Sequence, residues 1–145
     1  MRSKLGQLVP SRETVKAVIA HRGRLLLQLR DLKEDIYYPG HWGFFGGDVE
    51  FHETPEDALR RELYEELELV VPEFKKIFTW ENPETSTVLH FFYVSLKESP
   101  EALVLHEGSA KKLFSVGDVD NLKVTPDFFV IRQKICAVIQ ESSGE

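Results

Sequence analysis

Gly46-Gly47-Asp48-Val49-Glu50-Phe51-His52-Glu53-Thr54-Pro55-Glu56-Asp57-Ala58-Leu59-Arg60-Arg61-Glu62-Leu63-Tyr64-Glu65-Glu66-Leu67-Glu68-Leu69 is a glycine loop followed by one acidic helix. Thr54 suits the N-cap, Pro55 the first helical position, and Asp57 can complete a capping box with Thr54. Glu56 and Asp57 sit where the helix dipole favours negative charge. The far end breaks that rule, because Glu62, Glu65, Glu66 and Glu68 crowd the last two turns. Glu62 and Glu66 are also a like-charge pair at i,i+4. At about 100° per residue, Glu62, Glu65 and Glu66 fall within an arc of roughly 100°. Leu59, Leu63 and Leu67 form an apolar stripe beside them. A helix that docks on leucines and converges three carboxylates is short of positive charge. A hard divalent cation is the simplest remedy, and oxygen-only ligands suit Mg2+ or Mn2+. The alternative is a solvated acidic face, the ordinary meaning of such a pattern on a helix taken alone.

The surroundings of the helix decide against that alternative. Five residues separate Gly47 from Glu53, and seven more separate Glu53 from Arg61-Glu62-Leu63-Tyr64-Glu65-Glu66-Leu67-Glu68-Leu69. This spacing resembles the Nudix hydrolase box, Gly-x5-Glu-x7-Arg-Glu-U-x-Glu-Glu-x-Gly-U, where U is apolar. Every fixed position agrees except one, where Glu68 stands in place of Gly. Glycine would end the helix in a left-handed conformation that costs other residues about 1 kcal/mol. Either Glu68 carries that strain or the helix runs on toward Pro72.

Outward from the box, the chain alternates strands and helices. Residues 14–20 read as a Val- and Ile-rich strand, 21–24 as a turn and 25–30 as a return strand. On the return strand Leu25, Leu27 and Leu29 share one face, and Leu26, Gln28 and Arg30 the other. Residues 31–38 are an insertion, and 42–45 a short strand entering the glycine pair. After the helix, strands are expected at 74–81, 87–96 and 112–115, with short edge structure at 102–105 and a helical turn at 118–122. Thr125-Pro126 repeats the capping logic of Thr54-Pro55 and starts a last helix over 126–140. Its core face is Phe128, Ile131, Ile135, Val138 and Ile139. This order predicts an α/β fold with a mixed sheet between helices. The resemblance implies a Nudix-like α/β/α sandwich, in a single domain over 1–145 with 1–12 as a flexible arm and 141–145 as a flexible tail.

At 145 residues the chain is long enough to bury a real core. A formal net charge of −6 argues against nonspecific binding to nucleic acid or an anionic membrane. A small anionic substrate stays allowed, because a bound metal inverts the local field. The one cysteine, Cys136, excludes an internal disulfide and reads as a buried structural thiol. No apolar leader and no run of 18 apolar residues are present, so a cytoplasmic location is the expectation.

The resemblance implies hydrolysis of a diphosphate linkage in a nucleoside diphosphate joined to another group, such as a nucleotide sugar. A nucleoside triphosphate pyrophosphatase is the alternative within the enzyme class, and a non-catalytic nucleotide-binding module the alternative outside it. By position in the motif, Glu62, Glu65 and Glu66 are the implied metal ligands, together with a carbonyl at Gly46. Glu62 and Glu107 are the candidate bases, and Glu107 is also a candidate ligand. Glu53 and Arg61 are implied to brace loop against helix. Arg61 also lies four residues after Asp57, a favourable ion-pair spacing. Arg30 is a candidate for substrate phosphate, since a planar fork suits that task. Trp42 and Phe44 are candidates for stacking on a base, as are Phe78, Trp80, His90 and Phe92, although aromatic strand residues are more often core. The implied cofactor is Mg2+ or Mn2+, the implied partner a small-molecule nucleotide, and a homodimer is compatible with the family.

Overall fold

The computed structural model describes residues 12–32, 38–106, 108 and 110–143. Its centre is β1 (Arg12–His21), a Val- and Ile-rich strand whose alternate side chains are buried on both faces. β1 pairs antiparallel with β2 (Arg24–Leu29) through Ile19 to His21 only. The two strands then part, and residues 42–48 fill the gap between them. β3 (Trp42–Gly43) pairs with β2, and β4 (Phe45–Asp48) pairs with β1. The short strand expected at 42–45 is therefore two strands broken at Phe44, where the chain changes partner. The Phe44 carbonyl at the switch accepts from the Gln28 side-chain amide at 3.2 Å, so this buried acceptor is not left unsatisfied.

On its other side β1 pairs in parallel with β6 (Thr87–Ser95), which pairs antiparallel with β5 (Lys75–Asn82). β7 (Ala110–Phe114) pairs antiparallel with β2. The result is a seven-stranded mixed sheet in the order β3-β2-β1-β6-β5, with β4 on β1 and β7 on β2. Helix α1 (Pro55–Leu67) covers one face, where Leu59, Leu63 and Leu67 pack with Val15, Ala17, Ile19 and Phe45. The opposite face is covered by α3 (Asp127–Val130) and α4 (Arg132–Ser143), and α2 (Val116–Val119) follows β7. The predicted α/β sandwich is therefore the observed one.

Four local expectations differ. The helix over 126–140 is interrupted at Ile131, where φ −112° and ψ 16° leave the helical region. Its predicted core residues Phe128, Ile131, Ile135, Val138 and Ile139 nevertheless all enter the core. Thr125 does not cap α3: its hydroxyl donates to Asp127 Oδ1 at 2.6 Å, and its N–H is committed to the Trp42 carbonyl at 2.9 Å. Residues 102–105 form no strand. A 3-10 turn at Pro100–Ala102 leads instead into an irregular segment that ends on α1, where the His106 N–H donates to the Glu66 carbonyl at 2.8 Å. Cys136 is half-buried beside Arg132, not deep in the core.

Candidate active site

The start of α1 forms as its sequence dictates. The Thr54 hydroxyl accepts from the Asp57 N–H at 3.1 Å, and Pro55 occupies the first turn. The reciprocal half of a capping box is replaced by an ion pair, because the Asp57 carboxylate accepts from Arg60 at 3.1 Å. Asp57 is thus engaged by Arg60 and not by Arg61, whose guanidinium is drawn elsewhere.

Arg61 is the electrostatic hub of the site. Nε and Nη2 donate to the two Glu53 oxygens at 2.8 and 2.9 Å, a bidentate pair. Nη2 also donates to the Asp48 carbonyl at 2.9 Å, so one side chain fastens the 48–53 loop to α1. Nη1 lies 2.9 Å from Glu62, 3.4 Å from Glu65 and 3.7 Å from Glu50. The hydrogen bonds from Arg61, joined by the Glu50 N–H at 3.0 Å, pull the Glu53 carboxyl from its ordinary value of 4.5 down to about 2. Bonds to Glu53 and then Glu62 push Arg61 further up. The depressed Glu53 pKa has a definite sign. Its stabilisation is complete above the ordinary carboxylate range and is lost as pH falls toward the folded-state value. Wild type is expected to lose about 1–2 kcal/mol more than Glu53→Gln between about pH 5 and pH 3, read from urea midpoints.

The glycine pair explains how α1 comes so close. A Cβ on Gly46 would lie 2.0 Å from the Val15 carbonyl oxygen, and one on Gly47 would lie 2.4 Å from Cδ and Oε1 of Glu62. The Glu62 carboxylate therefore rests on the bare Cα of Gly47. The Gly46 N–H donates to Glu66 Oε2 at 3.2 Å, and Glu66 is only 1% exposed. Glu65 is outermost, with 57% of its side chain exposed.

The described residues thus bring Gly46, Glu53, Arg61, Glu62 and Glu66 into one site, with Glu65 at its rim. Glu107 lies outside the described residues. As the side chains stand, no three His, Cys, Asp or Glu among the described residues are gathered closely enough to hold a metal ion. Glu62 and Glu65 are turned onto Arg61, which stands in as their cation. The donor chemistry nevertheless fits a hard cation, since the described residues that converge there offer carboxylate and carbonyl oxygens.

Phe44 requires a correction. It is 2% exposed, packed between Phe91 and Phe128, so its ring has no face to offer a base. Phe92 is likewise core, and His90 is buried with Nε2 donating to Glu13 at 3.1 Å. Phe78 and Trp80 are partly buried against the α4-side core. Trp42 is half-buried, edge-on to Phe114 with centroids 4.8 Å apart. Arg30 is half-buried and follows β2 next to Gly43. Gln28 and His106 shape the site and were not among the predicted residues. A polar side chain in register with Leu26 was the only hint for Gln28, and His106 had none.

Comparison with known proteins agrees with this fold. A NUDIX domain model matches residues 10–133. The chain is 31% identical to the CTP pyrophosphohydrolase of Escherichia coli (strain K12) over 98 residues, 68% of this chain and 71% of that one. A mutT/nudix family protein from Listeria innocua superposes with a TM-score of 0.75 at 22% identity, over 92% of this chain and 96% of that one. The NUDIX domain of Shewanella oneidensis NrtR, in complex with ADP ribose, gives 0.69 at 21% identity over 84% of each chain. The chain belongs to the Nudix hydrolase family. It is accordingly an enzyme acting on phosphoric anhydride bonds, in a family that generally uses divalent metals. Among the described residues no helix is long and apolar enough to cross a membrane.

Proposed function

We propose that this protein is a Mg2+- or Mn2+-dependent nucleotide pyrophosphohydrolase whose substrate is a nucleoside triphosphate. The observation that carries the site is the packing of the Glu62 carboxylate on Gly47 with Glu66 held by the Gly46 N–H. Glu62, Glu65, Glu66 and the Gly46 carbonyl are the groups that would hold the cation, with Glu107 as a further ligand. When bound, the cation polarises phosphoryl oxygens and lowers the pKa of a coordinated water. The chain supplies positioning and proton transfer. Glu53 and Arg61 brace the loop against α1, Glu62 or Glu107 takes the proton of the attacking water, and Arg30 and Trp42 border the substrate. The products are a nucleoside monophosphate and pyrophosphate. The setting is the cytoplasm, where such nucleotides are found, and the enzyme acts alone or as a homodimer.

The substrate class follows the 31% identical relative, whose activity is on CTP. We favour it over the nucleoside diphosphate derivative that the resemblance to the box implies, which remains the alternative. The test is a panel of nucleoside triphosphates and nucleotide sugars with Mg2+, with products separated by HPLC. Pyrophosphate and a monophosphate from a triphosphate are expected. A sugar phosphate from a nucleotide sugar, with no pyrophosphate from any triphosphate, would return the substrate to the diphosphate class. Nucleotide binding without turnover would favour the binding-module alternative.

A further inference from the structure

The chain departs from the family box at the end of α1. Glu68 has φ 52° and ψ 31°, the left-handed conformation that glycine adopts freely and other residues adopt only under strain. The helix stops there: the Glu68 N–H donates to the Tyr64 carbonyl at 2.8 Å and the Leu69 N–H to Leu63 at 3.3 Å. A left-handed cap thus forms without glycine, and it puts a carboxylate where glycine would have no side chain.

That carboxylate is used. His106 Nε2 donates to Glu68 Oε2 at 2.7 Å, and the His106 main-chain N–H donates to the Glu66 carbonyl at 2.8 Å. One residue therefore grips the last turn at two points. The first is a carbonyl that the helix leaves without an internal partner. The second is an anion that the helix dipole disfavours and a histidine donor relieves. Two residues further on, Gly108 lies against β2, where a Cβ would meet Gln28 Oε1 at 2.8 Å and the Leu29 carbonyl oxygen at 2.9 Å. Gln28 in turn holds the Phe44 carbonyl, two residues before Gly46. The buried Glu66 carboxylate hangs from the gripped turn and accepts from Gly46.

We infer that Glu68 and His106 are positioning residues that hold the last turn of α1, and with it the Glu66 carboxylate, in the geometry the cation requires. The inference rests on the metal reading under Proposed function. Its test uses Mn2+ alone as the probe, with free Mn2+ followed by electron paramagnetic resonance and no nucleotide present. Glu68→Gly and His106→Ala are each expected to weaken Mn2+ binding roughly threefold to fivefold, the effect of losing one exposed side-chain hydrogen bond. The double variant should be no weaker than either single, because both remove the same contact. His106→Gln, which keeps a donor, should recover part of the loss. Melting temperature and the nucleotide KM should stay near wild type, which a purely structural role in the helix end would not predict. Unchanged Mn2+ affinity in both singles, or fully additive losses in the double, would overturn the inference while the metal reading stands. A wild type that binds no Mn2+ would overturn both.

Discussion

Glu66→Gln is expected to lower kcat by roughly 10²- to 10⁴-fold and to leave the fold intact. The magnitude follows from the several kcal/mol that metal-assisted charge stabilisation supplies, at about 1.4 kcal/mol per tenfold in rate. The preserved fold follows from the local geometry. Glu66 is 1% exposed, and its Oε2 accepts from the Gly46 N–H. A glutamine oxygen accepts the same bond in nearly the same volume. In metal-free buffer the variant should therefore melt near the wild-type temperature. Adding Mg2+ should raise the wild-type melting temperature through binding to the folded state and leave the variant unmoved. Calorimetry with and without Mg2+, beside a turnover assay, reads both effects. Unchanged turnover with metal binding intact would remove Glu66 from the ligand set.

What the sequence could and could not disclose divides by range. The Thr54 cap, the Pro55 start and the stripe of Leu59, Leu63 and Leu67 depend on residues within two turns of one another, and all were legible. At Glu68 the sequence leaves strain and extension open, and a φ of 52° makes it strain. The misread features depend on contacts distant in sequence. Asp57 and Arg61 have good ion-pair spacing, yet Glu53, Glu62 and the Asp48 carbonyl compete for that guanidinium and win. Phe44 looked like one residue of an ordinary strand beside a cleft. Its ring lies on the sheet face covered by α3 and α4, against Phe91 and Phe128, while Phe45 lies on the α1 face. A sheet covered on both faces buries both sets of alternating side chains, so alternation alone does not say which residue borders a cleft. The grip of His106 on Glu66 and Glu68 joins residues about 40 positions apart, with no local pattern to announce it.

The two glycines of the loop, identical in sequence, should respond oppositely to alanine. At Gly46 the added Cβ would lie 2.0 Å from the Val15 carbonyl oxygen, 2.9 Å from its carbon and 3.1 Å from the Lys16 Cα. These atoms are backbone of the central strand, held in register with β4 and β6, so none can step aside alone. The φ of 150° adds strain for any residue with a side chain. Gly46→Ala is expected to destabilise the protein by roughly 3–5 kcal/mol, a large share of the about 5–15 kcal/mol typical of a domain. At Gly47 the obstacle is only the tip of Glu62, with Cδ and Oε1 at 2.4 Å and Oε2 at 2.6 Å. A carboxylate tip can swing away by giving up contacts that include its 2.9 Å bond to Arg61, worth about 1 kcal/mol. It then leaves the position from which it would bind metal or take a proton. A displacement of about 1 Å at such a centre costs on the order of 10²-fold in rate. Gly47→Ala should therefore unfold near the wild-type urea midpoint yet lose about 10²-fold in kcat, whereas Gly46→Ala should fail first in stability. Equal loss of stability in the two variants would mean that the Glu62 carboxylate is as immovable as the backbone of β1. Equal retention of activity would mean that its position against Gly47 has no part in the chemistry.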